Sequence, residues 1–439
     1  MARAKTHAPL NVFLNARLVG RLDRQPSGAI EFAYHAEWLA FENALPVSLS
    51  LPLREDRYAG APVIAVFDNL LPDGKALRRR VAERVGADGD DAYSLLAAIG
   101  RDCVGAMQFL PEGETPAAAG VISGRPVDEG YIARKLGDLA RAPLGMDEDE
   151  SFRISLAGAQ EKTALLFWKN RWHVPLGATP TTHILKPQIG MLANGIDMSQ
   201  SVENEFLCVK LAAAFGLPTA SVEIADFDGR RALVVERFDR LWTKDRRLLR
   251  LPQEDCCQAL SMPPTLKYQA DGGPGIGAIL ELLKASDEPE KDRALFLKAA
   301  IMFWLLAGTD GHAKNFSLFL EPGGRFRLTP LYDILSAQPA HDAGRISRNK
   351  LKLAMSVGDN RHYAVYGILP RHFLQTAKAN GLAETVVRST FDEILAIEEA
   401  AVSAVVETLP RDFPGALADS VLGGLKRRAR VLEAAHAPL

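Results

Sequence analysis

An α+β chain, β-rich in front and α-helical behind, is what this sequence predicts, and three observations carry the prediction. Short runs of alternating apolar and polar residues, separated by turn residues, fill much of the first 240 positions. Beyond about residue 255 the apolar residues recur at helical spacing instead, to the end of the chain. At 439 residues the chain exceeds one ordinary hydrophobic core, so two or three lobes are expected to share it.

The elements follow in order. NVFLNARLVGRL predicts a hairpin turning at Asn15 and Ala16, and GAIEFAY a third strand after the turn Gln25-Pro26-Ser27-Gly28. The Pro-punctuated ALPVSLSLPL reads as loop, and GKALRRRVAERV and DAYSLLAAIG as helical. CVGAMQFLPEGETPAAAG reads as a strand and then a Pro/Ala/Gly linker, which sets a boundary near residue 145. After it, FRISLAG, KTALLFW, RWHVPLG and THILKP read as strands, then NEFLCVKLAAAFG as a helix, then SVEIADF and RALVVERF as strands. Lys169-Asn170-Arg171 and the stretch from Asp226 to Arg230 supply hairpin turns, so a small, mostly antiparallel sheet with one inserted helix is expected. In the helical remainder, only residues 308–335 interrupt the periodicity. The expected division is 1–145, 146–240 and 241–439.

Composition excludes some classes. Net charge is 52 − 54 = −2, which argues against a surface built wholesale for nucleic acid or an anionic membrane. The basic runs LRRR (77–80) and LKRRAR (425–430) read as solvated helix faces. The longest apolar run, AAIMFWLLA, falls far short of the roughly 20 residues that span a bilayer. The N-terminus has no apolar core of an export signal, and Cys103, Cys208, Cys256 and Cys257 form neither a disulfide framework nor a zinc pattern. A cytoplasmic protein with reduced thiols and no membrane partner is expected.

Chemistry enters at GTDGHAKNFSLF (308–319), a polar loop between a strongly apolar helix and a strand candidate. Asp310 and Asn315 stand at the spacing D-x-x-x-x-N. That spacing lets one loop supply both a carboxylate to take a proton from an attacking hydroxyl and an amide to hold Mg²⁺. Taken alone it equally fits a capping Asp and a turn Asn. Asp333 follows 18 residues after Asn315, at the end of the strand-like RFRLTPLYDIL, where a second carboxylate suits Mg²⁺ bridging ATP phosphates. Upstream, Lys186 ends the strand THILKP, a place from which an ammonium reaches phosphate oxygens. Ala157, Gly158, Ala159, Gln160, Glu161 and Lys162 join two expected strands as a small-residue loop able to approach phosphates closely. A phosphate on Ser155 would bring nearly two negative charges to that loop, an off switch. Glu236, Arg237 and Phe238 mark the change from β-rich to α-rich sequence, a hinge whose backbone suits adenine. The expectation is that 186, 310, 315 and 333 converge on one metal-bound triphosphate.

The chain resembles the HipA-type toxin kinases of bacterial toxin–antitoxin pairs over nearly its whole length. The resemblance rests on FDNLLPDG, IGRDCVGAMQFLPE, SFRISLAGAQEKTALL, TPTTHILKP, SQSVENE, VERFDR, LRLPQEDCCQ, KYQADGGPGI, TDGHAKNFSLF, TPLYDILSA and LKLAM. It implies a two-lobe protein-kinase-like fold and an ATP- and Mg²⁺-dependent serine/threonine protein kinase. By matched motif, Asp310 would be the catalytic base, Asn315 and Asp333 the metal ligands, and Lys186 a phosphate contact. The 157–162 loop and residues 236–238 would contact ATP, as would His312, Ala313, Lys314, Tyr332, Ile334 and Leu335. Ser155 would be the self-phosphorylation site. The implied protein substrate is glutamyl-tRNA synthetase, and the implied partners are a helix-turn-helix antitoxin and, through it, operator DNA. One departure stands out. Relatives carry a basic pair on a C-terminal helix for DNA, whereas here Lys378 is followed three positions on by Gly381, so at most one phosphate contact survives. A small-molecule phosphotransferase and an inactive antitoxin-binding scaffold are the competing readings.

Overall fold

The computed structural model describes residues 8–146 and 154–434, so the expected boundary region and Phe152 and Arg153 of FRISLAG lie partly outside the described residues. Two compact units result. The first comprises the chain up to Pro187 with Ala225–Thr265 and Leu318–Phe326; the second comprises Gln188–Ile224, Leu266–Ser317 and the chain from Arg327.

Besides smaller sheets such as the pair Arg240–Trp242 with Leu248–Arg250, the first unit holds two large ones. In one, strands pair antiparallel in the order Tyr58–Ala59, Ile30–Tyr34, Arg17–Arg24, Leu10–Leu14 and Met107–Pro111. Its first hairpin turns at Asn15 (φ 46°) and Ala16 (φ 68°), both in the left-handed region that a tight two-residue hairpin demands. Asn15 tolerates this because its amide exchanges hydrogen bonds with the Arg250 backbone at 2.8 and 2.9 Å. Leu10, Val12, Leu22 and Phe32 are buried on these strands, as are Val63, Phe67 and Leu96 on the helices Ala61–Asp68 and Ala92–Ile99. Phe67 packs between Phe32 and Phe109, with ring centroids 5.5 and 5.6 Å away.

The second sheet runs Val222–Phe227, Arg230–Glu236, His183–Pro187, Thr163–Trp168, Arg171–Pro175, Gly124–Val127. The expected turns are present, with Lys169 and Asn170, and Asp228 and Gly229, all at positive φ. The central strands bury Ala164, Leu165, Leu185, Leu233 and Val234. Two features depart from expectation. Gly124–Val127 (GRPV) adds an edge strand that sequence pattern does not reveal; Pro126 is tolerated there because an edge leaves one face of the ladder unpaired. FRISLAG is not a strand over its described part. Ile154 and Leu156 are buried as a strand pattern would have them, yet the segment makes only one isolated bridge, from Gly158 to Pro72. The 157–162 loop therefore precedes one strand rather than joining two.

The second unit is largely helical: Ser201–Ala214, Ile276–Leu282, Pro289–Leu305, Pro370–Ala379, Glu384–Glu407 and Gly415–Ala434. Phe296, Trp304, Phe373, Phe391, Ile394 and Leu425 form its core. The hairpin of Lys352–Val357 with His362–Ala364 is an addition that helical periodicity hides. Arg428, inside the run read as a solvated face, is instead buried. It donates to the Leu305 carbonyl at 2.8 Å and to Gln338 Oε1 at 2.8 Å, satisfying the C-terminal end of Pro289–Leu305. Among the described residues no helix is long and apolar enough to cross a membrane, and all four cysteines are buried thiols.

Candidate active site

The helix Pro289–Leu305 delivers the chain into the polar loop through a tight reversal. Ala307 takes φ 51°, and the Gly308 N–H returns to the Phe303 carbonyl at 2.7 Å. Gly308 and Gly311 both lie against Phe303, where a Cβ would meet the ring at 2.6 and 2.7 Å. Only glycine lets the loop lie this close to the helix it leaves.

Inside the loop the Asp310 main-chain carbonyl accepts twice, from the His312 N–H and from the Asn315 side-chain amide, each at 2.8 Å. The second bond accounts for the D-x-x-x-x-N spacing, since the short turn Ala313–Asn315 folds the amide back onto the residue that opens the loop. It also sets the amide's orientation. Nδ2 is spent on the loop, and Oδ1 is left as an oxygen donor. The Asp310 carboxylate is half exposed, while His312, Lys314 and Asn315 are buried. Its Oδ1 accepts from the Tyr268 hydroxyl and lies 3.8 Å from His312 Nε2.

Asp333 does not end a strand: the strand Arg325–Leu328 stops short of it, and Asp333 sits at φ 59°, a conformation Asp tolerates better than most residues. The segment is held on either side. Leu331 exchanges backbone hydrogen bonds with Pro218 and Ala220, each at 2.8 Å, and Ser336 exchanges two with the Asn204 side chain, also at 2.8 Å. Between them the Tyr332 hydroxyl donates to the Lys314 carbonyl at 3.0 Å and shares a 2.6 Å hydrogen bond with Ser317 Oγ. The two loops are thus tied at the residues next to Asn315 and next to Asp333. Ile334 is buried and Leu335 half-buried. A carboxylate and an amide oxygen are hard donors of the kind that Mg²⁺, which keeps several waters and phosphate oxygens, would take.

The remaining expected residues belong to the first unit. Ser155 is fully buried; its hydroxyl donates to the Leu70 carbonyl at 2.7 Å and its N–H to the Asp102 carbonyl at 2.9 Å. Gly158, at φ 101°, accepts from the Asp73 N–H at 3.0 Å, and the Lys162 ammonium lies where a Gly158 Cβ would approach to 2.7 Å. Ala157 is half-buried and Ala159 exposed, while Gln160 donates to the Pro187 carbonyl at 3.4 Å and Glu161 pairs with Arg80 at 3.1 Å. Lys186 is buried in its strand, opposite Leu233. Lys378 is exposed in the last turn of Pro370–Ala379, and Gly381 just beyond it ends that helix at φ 69°.

At the expected hinge, Glu236 is exposed and Phe238 meets Phe319 edge-on at 5.8 Å. Arg237 is committed elsewhere. Its N–H donates to the Thr182 carbonyl at 2.8 Å, and its guanidinium enters a buried cluster that sequence reasoning missed. There Asp102 receives Arg240 at 2.9 Å and Arg250 at 3.0 Å, with Arg237 at 3.5 Å, and Asp239 pairs with Arg237 at 2.8 Å and Arg240 at 3.1 Å. Burial alone would raise both carboxyl pKa values, but the surrounding guanidinium groups hold them below the ordinary range. Sequence segments IGRDC, VERFDR and LRLPQ meet at this cluster.

Comparison with known proteins places this geometry in a family. Residues 10–110 match the model of the HipA N-terminal domain, and residues 154–402 that of the HipA-like C-terminal domain. The Sinorhizobium fredii protein Y4mE is 38% identical over 353 residues, 80% of either chain. The serine/threonine-protein kinase toxin HipA of Shewanella oneidensis is 29% identical over 374 residues, 82% of this chain and 80% of its own. A solved complex of Shewanella oneidensis HipA, HipB and operator DNA shares the fold, with a TM-score of 0.80 at 24% identity, covering 98% of this chain and 100% of that one. With a family model spanning more than half of its length, and a relative 38% identical over 80% of either chain, this chain belongs to the HipA family of kinases.

Proposed function

We propose that this chain is the toxin of a toxin–antitoxin pair, a cytoplasmic Mg·ATP-dependent kinase that phosphorylates serine or threonine on a protein substrate. The observation that carries the reading is the bond from the Asn315 amide to the Asp310 carbonyl, which makes one rigid turn out of a proton acceptor and a metal-facing oxygen. Asp310 takes the proton of the acceptor hydroxyl as its oxygen bonds to the γ-phosphorus and the bond to the ADP oxygen breaks. Asn315 and Asp333 hold Mg²⁺, which when bound neutralises phosphate charge. Lys186 and the 157–162 loop contact phosphates; Glu236 and Phe238 serve adenine, with residues 312–314, 332, 334 and 335 around the nucleotide.

Ser155 is the self-phosphorylation site in this reading. A dianionic phosphate has no place in a fully buried position whose side chain bonds to a carbonyl, so modification has to expel the 157–162 loop and silence the enzyme. A helix-turn-helix antitoxin neutralises the chain and carries the pair to operator DNA, and glutamyl-tRNA synthetase is the substrate.

The test is incubation of purified protein with Mg·ATP, with and without glutamyl-tRNA synthetase, followed by phosphosite mapping by mass spectrometry. Phosphate on Ser155 and on a synthetase serine or threonine is expected. A folded protein that labels neither itself nor the synthetase contradicts the reading; label on Ser155 alone contradicts only the choice of substrate.

A further inference from the structure

KYQADGGPGI (267–276) is a motif to which the sequence assigns no role, and the structure gives it one. Its Tyr268 hydroxyl donates to Asp310 Oδ1, while the Tyr268 ring packs edge-on against His312 with centroids 4.9 Å apart. The rest of the motif holds that tyrosine still. Asp271 and Gly273 return their N–H groups to the Tyr268 carbonyl at 3.1 and 2.9 Å. Gly272 turns at φ 96°, and a Cβ on Gly273 would meet the Leu266 carbonyl at 1.9 Å. Gln269 anchors the turn to the strand Lys352–Val357, accepting from the Ser356 N–H at 2.7 Å and its hydroxyl at 3.1 Å. Gly275 leaves room for that glutamine, since its Cβ would come within 2.4 Å of it.

We infer that Tyr268 is a positioning residue for the transfer step. The main-chain bonds already described fix the Asp310 backbone but not its half-exposed carboxylate, which is otherwise free to rotate. Tyr268 supplies the missing constraint by engaging Oδ1, with His312 Nε2 on the same side at 3.8 Å, so that Oδ2 is the oxygen presented to the acceptor hydroxyl. Gly273 and Gly275 are there because the turn that places the tyrosine has no room for their side chains, and Gly272 because its φ of 96° suits glycine. This inference rests on the reading of Asp310 as the base.

The experiment is steady-state transfer from Mg·ATP by wild type and Tyr268→Phe, with glutamyl-tRNA synthetase or myelin basic protein as acceptor. It is paired with thermal unfolding and titration of a non-hydrolysable Mg·ATP analogue. Phenylalanine keeps the ring contact to His312 and removes only the hydroxyl. The expected result is a kcat about 10-fold lower, with KM for ATP, analogue affinity and unfolding midpoint unchanged. An unchanged kcat, or a fall matched by lost analogue binding or a lowered midpoint, overturns the positioning role while leaving the kinase reading intact. A wild type that turns over ATP on neither acceptor overturns the reading and the inference with it.

Discussion

Asp310→Asn is expected to lower phosphoryl transfer by about 10³-fold, the middle of the range for removing a general base, with the unfolding midpoint unchanged. The substitution keeps the volume, and an amide oxygen still accepts from Tyr268. The scaffold of the loop depends on the Asp310 main-chain carbonyl, which keeps its bonds to His312 and Asn315 whatever the side chain is. What is lost is the ability to accept a proton. Steady-state rates beside a thermal scan of the same preparations check this: a comparable rate in the variant removes the base from Asp310, and a collapsed fold would place Asp310 among the structural residues.

The second large effect falls on stability rather than chemistry. Asp102→Asn is expected to destabilise the first unit by about 3–5 kcal/mol, the cost of leaving buried charge uncompensated. Asp102 and Asp239 face Arg237, Arg240 and Arg250, all at 2–5% side-chain exposure, so the cluster already carries one more positive than negative charge. Removing a carboxylate leaves three guanidinium groups around one. The same geometry dictates the pH dependence. A carboxyl whose folded pKa is depressed stabilises the fold fully above its unfolded value, near pH 4, and the contribution disappears as pH falls through the folded value. Wild type is therefore expected to lose stability steeply below pH 4, and Asp102→Asn to lose less over that interval. Denaturant unfolding at neutral and acidic pH measures both. Equal stabilities at neutral pH would show the cluster to be dispensable.

The hairpins were legible because period-two patterning and residues that tolerate positive φ, such as Asn15, Asn170 and Gly229, act locally. Helices such as Pro289–Leu305 were legible for the same reason. What escaped reading depends on groups distant in the chain. Gly124–Val127 becomes a strand only because Arg171–Pro175 offers an edge, and the segment carrying the buried Ile154 and Leu156 is held through Ser155 by the Leu70 and Asp102 carbonyls rather than by a strand ladder. Arg428 looked solvated because nothing nearby in sequence announces the Leu305 carbonyl, 123 residues away.

The site divides in the same way. The Asp310–Asn315 spacing carries its own geometry, because both ends of the turn lie in one short segment. Tyr268 sits 42 residues before the carboxylate it bonds, and only the glycines of its own turn hint that something is being placed. Arg237 is itself one of the residues read as a hinge, yet its guanidinium answers to Asp102, 135 residues upstream, and to Asp239.

In the proposed kinase, the loops around Asp310 and Asp333 act as one centre for proton and metal. The most direct measurement is the Mg²⁺ dependence of transfer from ATP by wild type and Asp333→Asn. Wild type should transfer phosphate only with Mg²⁺ present, and the variant should need at least about 10-fold more Mg²⁺ for the same rate, in line with losing a metal-site group. Identical Mg²⁺ dependence in the two proteins would contradict it.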